Sequence, residues 1–308
     1  MNKTLAAGTR KSILARIQTS MVVKALLRKT PGLDIEEKII VTKGDKILDA
    51  PLAQIGDKGL FTREIEQQLI DGDIDFAVHS YKDLPTELPP GLCIGAVLDR
   101  EEPHDVLISR PGITLETLPP GSRVGTSSLR RISMLLHARP DLVPADIRGN
   151  VNTRIEKLEA GDYDAIILAA AGVIRMGEKH RVSCTLRRDD WFHAVGQGAI
   201  AVEIREDDDE TREIVSSLED PATRAATDAE RAFLLRLEGG CQVPVGVRTS
   251  TGGGEIRIEG MVAGLEGKPF ITGEGTGPVD RAAETGTALA QELIESGAGE
   301  VLESIRSQ

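Results

Sequence analysis

Apolar residues recur at Ile13, Leu14, Ile17, Met21, Val22, Ala25 and Leu26, and the run ends at Pro31-Gly32. That three-and-four spacing is one face of a helix, and Ser12 stands where an N-cap belongs. Short segments of strand character flank it, at 4–9 and, alternating, at 35–42. Residues 61–70 predict a second helix, and 74–78 a buried strand leading into His79-Ser80-Tyr81-Lys82-Asp83-Leu84-Pro85. Between them, 44–59 is rich in Gly and Asp and has no periodicity. A segment of that length reads as a lid, a binding loop or disorder.

The pattern then repeats. Strands are predicted at 106–109, 123–126, 145–148 and 165–168. Helices are predicted at 128–138, from Asn152 as cap to Ala160, and on through Arg175. Residues 199–204 read as another buried strand, and the acidic run 206–210 as a solvated turn. This alternation argues for mostly parallel sheets with helices on both faces. From Asp220-Pro221, a cap followed by proline at the first helical position, a helix runs to about Leu237 and breaks at Glu238-Gly239-Gly240. Strands at 245–248, 255–262 and 269–273 and a helix at 279–296 complete a small α+β domain. The expected fold is α/β: two doubly wound domains plus a C-terminal domain with a three-stranded antiparallel sheet.

Composition narrows the function. The 308 residues amount to about two average domains or three small ones. At 40% hydrophobic they can build real cores. A net charge of −12 and eight aromatic residues disfavour a nucleic-acid partner. No stretch reaches the roughly 18–20 apolar residues that cross a bilayer, and MNKTLAAGTRKS lacks the apolar core of a secretory signal. Cys93, Cys184 and Cys241 are widely spaced and odd in number, without disulfide framework or metal spacing. No metal and no membrane partner is expected, and a reducing cytoplasm is the expected location.

Four groups of residues carry chemistry. Basic and hydroxyl residues sit at strand-to-helix junctions: Thr9-Arg10-Lys11-Ser12, Gly125-Thr126-Ser127-Ser128-Leu129-Arg130-Arg131, Arg148-Gly149-Asn150-Val151-Asn152-Thr153-Arg154, and Arg175. Residues 123–175 hold eight Lys/Arg against six Asp/Glu, a positive stretch in an acidic chain. Helix N-termini disfavour cations unless an anion answers them, so a polyanionic ligand is expected, carboxylate or phosphate. Lys82 and Asp83, at the C-terminal end of a strand, stand where open α/β sheets bind ligands. They form either a tuned acid/base pair or a plain ion pair. Lys58, among the glycines of the long loop, could close over an anion. Cys241, after two glycines, is a candidate nucleophile, whereas Cys93 and Cys184 read as buried.

The motifs HSYKDLP, VGTSSLRR, RGNVNTR, YDAIILAAAG, AVGQGA and LEGGCQVP, in this order, resemble the porphobilinogen deaminase (hydroxymethylbilane synthase) family. The resemblance runs from Arg10 into the third domain and is weakest after Val247. It implies head-to-tail condensation of four porphobilinogen molecules, with loss of ammonia, to linear hydroxymethylbilane. The product grows on a dipyrromethane cofactor held by a thioether to Cys241. It further implies that the first two domains resemble periplasmic binding proteins, dividing the chain as 1–99 with 200–217, 100–199 and 218–308.

The family's anion ligands match Arg10, Ser12, Lys82, Thr126, Ser127, Ser128, Arg130, Arg131, Arg148, Gly149, Arg154 and Arg175 here. Gln18 and Gln197 match cleft positions, and Lys58 a mobile lysine. Asp83 matches the carboxylate that stabilises the cationic azafulvene left when ammonia departs. Ile13 departs from the proline that many relatives carry there. A monomer is implied, with uroporphyrinogen-III synthase taking the product. The rival readings are an anion-binding solute-binding module and a phosphate-handling enzyme. The second lacks a GxxxxGK[ST] loop and a carboxylate cluster suited to Mg²⁺.

Overall fold

A computed structural model describes residues 4–46, 59–187, 189–237 and 243–307. In chain order the elements are β1 (Thr4–Arg10), α1 (Ile13–Lys29), β2 (Asp34–Ile40), a short α2 (Lys43–Lys46), α3 (Arg63–Ile70), β3 (Phe76–Ser80) and β4 (Leu92–Val97). There follow β5 (Asp105–Ser109), β6 (Arg123–Gly125), α4 (Leu129–Ala138), β7 (Val143–Ala145), α5 (Val151–Glu159), β8 (Ala165–Ala169), α6 (Ala170–Arg175), β9 (Cys184–Thr185), β10 (Ile200–Arg205) and α7 (Asp209–Ser216). The last are α8 (Pro221–Arg236), β11 (Val245–Gly252), β12 (Glu255–Ala263), β13 (Phe270–Pro278), α9 (Ala282–Leu293) and α10 (Gly299–Arg306). The chain divides into two compact units, Met1–Glu101 with Ala199–Arg224, and Glu102–Gly198 with Ala225–Gln308.

The first unit is built on a five-stranded sheet in the order β2-β1-β3-β10-β4. β1, β2 and β3 are parallel, whereas β10 runs antiparallel to both β3 and β4. The sheet is therefore mixed, with β2, β1, β3 and β4 running one way, mostly parallel as expected, and β10 alone reversed. The sequence IAVEIR is buried at five of its six positions, and a strand buried on both faces carries no hydrophobic pattern that reports its direction. α1 covers this sheet with Val22, Val23 and Leu26, packed on Leu5, Phe76, Val78 and Val202. Its N-cap is Ser12, whose hydroxyl accepts the Ala15 N–H at 3.3 Å.

The second unit contains two sheets. One has the order β7-β6-β8-β5-β9 and is again mixed, with β5 antiparallel to β8 and β9. The other is the antiparallel meander β11-β12-β13. Gly253 and Gly254, both at positive φ (62° and 83°), close its first hairpin, as a two-residue turn in a right-twisted ribbon requires. Phe233, Leu237, Val247, Ile258, Leu289 and Leu293 share one core between this meander and its helices. Met261 and Ala263 of β12 join Leu107, Met134, Ile167 and Trp191 in another.

Some boundaries differ from the pattern-based expectation. Asn150, not Asn152, caps α5, its Oδ1 accepting from Thr153 N at 3.0 Å. The strand expected at 145–148 is β7, at Val143–Ala145. The helix expected at 279–296 ends at Leu293. It passes through a π-turn in which Gly297 adopts φ 101°, and α10 follows. Asp208, inside the presumed acidic turn, caps α7 and accepts from Thr211 N at 3.0 Å. Cys93 and Cys184 are half-buried and unlinked. Among the described residues no helix is long and apolar enough to cross a membrane, and no cluster of His, Cys, Asp and Glu could hold a metal.

Candidate functional site

In the first unit the candidate residues gather at the C-terminal ends of β1 and β3. Arg10 closes β1, its guanidinium 4.1 Å from the centre of the Phe61 ring. β3 runs into a single 3₁₀ turn, Tyr81–Asp83. Tyr81 and Leu84 are both buried and pack with Val97 and Ala201. The backbone N–H of Tyr81 donates to Ala199 O at 3.0 Å, tying the turn to the segment entering β10. With its flanking residues turned inward, the turn presents Lys82 half-buried and Asp83 exposed. Gln18 is buried at 3% exposure, and its amide nitrogen donates to Ser80 Oγ at 2.9 Å, one residue before the turn. Gln18 therefore braces the end of β3 from α1.

In the second unit the hydroxyls of the VGTSSLRR stretch are engaged in local structure. Thr126 Oγ1 accepts from Ser128 N at 3.3 Å, and Ser128 Oγ caps α4 by accepting from Arg131 N. Ser127 Oγ donates to Ile147 O at 2.8 Å and accepts from Ile147 N at 3.1 Å, clamping this loop to the one before α5. That neighbouring loop holds Arg148 and Gly149. Gly149 sits at φ 114°, and a Cβ there would lie 2.7 Å from Thr153 Cγ2, so only glycine fits.

The arginines separate into two groups. Arg130 and Arg131 are buried and converge on Asp105, which has no exposed surface. Burial alone would push the Asp105 carboxyl up, but the two guanidiniums outweigh it and hold the group well below the usual carboxylate range. Arg154 lies near both Arg131 and Arg148. Burial first, then repulsion from Arg131 and Arg148, lowers the Arg154 guanidinium to about 10, with Asp146 and Tyr163 opposing. Arg154 Nε donates to Gly149 O at 2.8 Å. Arg148 Nη1 is buried and meets no hydrogen-bond acceptor among the described residues. A buried donor without an acceptor costs free energy that a ligand carboxylate would relieve.

Two further candidates lie beside this cluster. Arg175 Nη2 donates to Gly198 O at 2.7 Å. Gln197, 1% exposed, donates from Nε2 to Pro103 O at 2.7 Å and to Asp105 Oδ1 at 2.9 Å. Asp105 is the residue that motif reading missed. Its signal in the sequence is a single carboxylate opening the apolar strand DVLIS. Lys58 and Cys241 lie outside the described residues.

Comparison with known proteins agrees over the whole chain. The family model "Porphobilinogen deaminase, dipyromethane cofactor binding domain" matches residues 5–213, and "Porphobilinogen deaminase, C-terminal domain" matches 225–295. The porphobilinogen deaminase of Pelotomaculum thermopropionicum is 50% identical over 308 residues, covering 100% of this chain and 99% of that one. That of Syntrophobacter fumaroxidans is 47% identical over 304 residues, covering 99% and 98%. Among solved structures, the methionine binding protein MetQ matches with a TM-score of 0.44 at 13% identity, covering 74% of this chain and 91% of that one. With two family models spanning nearly its full length and relatives near half-identical from end to end, the chain belongs to the porphobilinogen deaminase family.

Proposed function

We propose that this protein is a hydroxymethylbilane synthase that joins four porphobilinogen molecules head to tail, releasing one ammonia at each addition. The observation that carries this beyond family membership is the crowding of Arg131 and Arg148 on Arg154, with a buried Arg148 Nη1 that no acceptor among the described residues satisfies. Each pyrrole of the substrate brings an acetate and a propionate, and such a cluster suits several carboxylates. The same cluster fits the dipyrromethane cofactor, whose carboxylates are of the same kind. When bound, that cofactor supplies the free pyrrole α-carbon from which the chain grows.

The residues then take the following roles. Arg148, Arg154 and Arg175 hold ring carboxylates, with Arg130 and Arg131 supplying positive charge from beneath. Thr126, Ser127, Ser128 and Gly149 shape the loops that present backbone N–H groups. In the first unit, Arg10, Ser12 and Lys82 bind carboxylates, and Gln18 keeps the Tyr81–Asp83 turn in place through Ser80. The exposed Asp83 carboxylate lies against the substrate pyrrole N–H. There it stabilises the positive charge that develops as ammonia leaves, and it holds the proton that is exchanged. Gln197 braces the arginine cluster of the second unit, Lys58 binds a carboxylate, and Cys241 is the attachment point of the cofactor.

We further propose three domains, at 1–99 with 200–217, 100–199 and 218–308. The protein acts in the cytoplasm as a monomer, and its product passes to uroporphyrinogen-III synthase. A solute-binding role would need neither the thiol nor turnover.

The intact denatured mass of the purified protein, with peptide mapping, tests the reading. The expected result is an adduct of two linked pyrroles on Cys241 together with consumption of porphobilinogen. If the protein neither forms that adduct during incubation with porphobilinogen nor consumes it, the reading is wrong.

A further inference from the structure

Asp105 is the most heavily engaged carboxylate in the second unit. Its Oδ1 accepts from Arg131 Nε at 3.1 Å, Arg131 Nη2 at 2.7 Å and Gln197 Nε2 at 2.9 Å. Its Oδ2 accepts from Arg130 Nη1 at 2.8 Å and Trp191 Nε1 at 3.1 Å. Consecutive helix residues point about 100° apart and do not face one another. Arg130 and Arg131 nevertheless end on the same carboxylate. Each guanidinium is then fixed by a second acceptor, Phe192 O at 2.5 Å for Arg130 Nη1 and Ile167 O at 3.0 Å for Arg131 Nη1. Trp191 and Gln197 bring the segment after β9 onto the same atom pair.

Two features separate this arrangement from an ordinary core ion pair. Among the described residues, two guanidiniums against one carboxylate leave one buried positive charge uncompensated, and a balanced pair would not. Arg131 lies near enough to Arg154 to repel it, and Arg148 repels Arg154 as well, so the charge of a bound carboxylate there would answer the surplus. Asp105 itself has no exposed surface and cannot touch substrate.

We propose that Asp105 is a positioning residue for the reaction, orienting Arg130 and Arg131 and locking the 191–197 segment to them so that their surplus charge serves the carboxylates of bound pyrroles. This rests on the reading of those arginines as carboxylate-binding. It goes further in assigning their orientation to a residue that no motif contains and that makes no contact with ligand.

The test compares the wild-type protein with Asp105→Glu, Asp105→Asn and Trp191→Phe. For each, the adduct-bearing fraction, the melting temperature, and KM and kcat for porphobilinogen per adduct-bearing molecule are measured. Asp105→Glu keeps the charge but moves it by one methylene. It is expected to raise KM about tenfold or more while kcat per adduct-bearing molecule falls less. Asp105→Asn removes the charge and is expected to exceed that effect wherever it folds. Trp191→Phe removes one neutral donor, leaves every charge in place, and is expected to raise KM about two- to threefold.

A residue that merely stabilised the core would lower the melting temperature and the adduct-bearing fraction and leave KM unchanged. KM within twofold of wild type in the folded variants therefore overturns the proposal. If only Trp191→Phe folds, its KM decides by the same criterion. If the wild-type protein itself neither carries the adduct nor consumes porphobilinogen, the reading of its function fails instead.

Discussion

His79 Nε2 lies 2.9 Å from Glu203 Oε2 inside the first unit, where the two side chains are 4% and 0% exposed. The atoms are close enough for an ion pair but not aligned for a hydrogen bond. Glu66, also buried, lies near both. Burial pushes its carboxyl up from 4.5; the nearby Thr62 hydroxyl opposes this, Glu203 adds to it, and His79 and Arg63 oppose it. The folded state thus favours protonated Glu66, and this contribution to stability is lost as pH rises above 4.5 through the raised value. Glu66→Gln is expected to raise the melting temperature at pH 7.5 by about 2–4 °C. The gain should shrink toward pH 4.5, which melting curves across that range would check.

Asp105 acts in the opposite sense. Its folded pKa lies well below 3.8, so its stabilisation is present above that pH and is lost as pH falls through the depressed value. In acid the second unit is expected to unfold with uptake of this proton. Asp105→Asn should remove that part of the acid transition while lowering stability at neutral pH. Acid titration followed by circular dichroism reads both effects.

Asp83 is exposed, and replacing it should leave folding intact. Asp83→Ala is expected to lower turnover by about 10²–10³-fold or more, the scale of losing one electrostatic stabiliser of a developing charge. Asp83→Glu should retain part of the rate. Full activity in the alanine variant would remove Asp83 from the mechanism.

Arg154 sets stability against binding. Burial and two neighbouring guanidiniums disfavour its charge in the folded state. Arg154→Gln should therefore melt at a higher temperature in the absence of substrate, while KM for porphobilinogen rises about tenfold. A variant that changes neither quantity would show that this guanidinium meets no ligand.

Gly149 tests the loop. An alanine there must adopt φ 114° with its Cβ 2.7 Å from Thr153 Cγ2, at a cost of about 1–3 kcal/mol. The carbonyl that holds Arg154 Nε would shift with it, so activity is expected to fall together with the melting temperature.

The junction residues were legible in the sequence because caps and strand ends are local. Ser12, Ser128 and Asp220 announce their helices, and each accepts from an N–H of the first turn. The direction of β10 was not legible, since Val202 is buried against both Val78 and Ala96 and would be so in either orientation. α7 was hidden by its composition: it buries Thr211 and Val215 alone, and acidic residues form the rest of its first turn. The role of Asp105 depends on partners 25 to 92 positions away, which no spacing rule connects.

The position of β10 dictates an order of events on the ribosome. Among the described residues β4 pairs with no strand but β10, and β3 needs β10 on its other side, yet the whole of 102–198 is synthesised before β10 emerges. Until about residue 205 is out, the nascent first unit carries two unpaired strand edges, the kind of surface that recruits other chains. The first unit therefore stays incomplete until the whole of 102–198 has been made, although its own earlier segment was made first. A chain stalled or truncated before β10 would be an aggregation-prone fragment rather than a folded half.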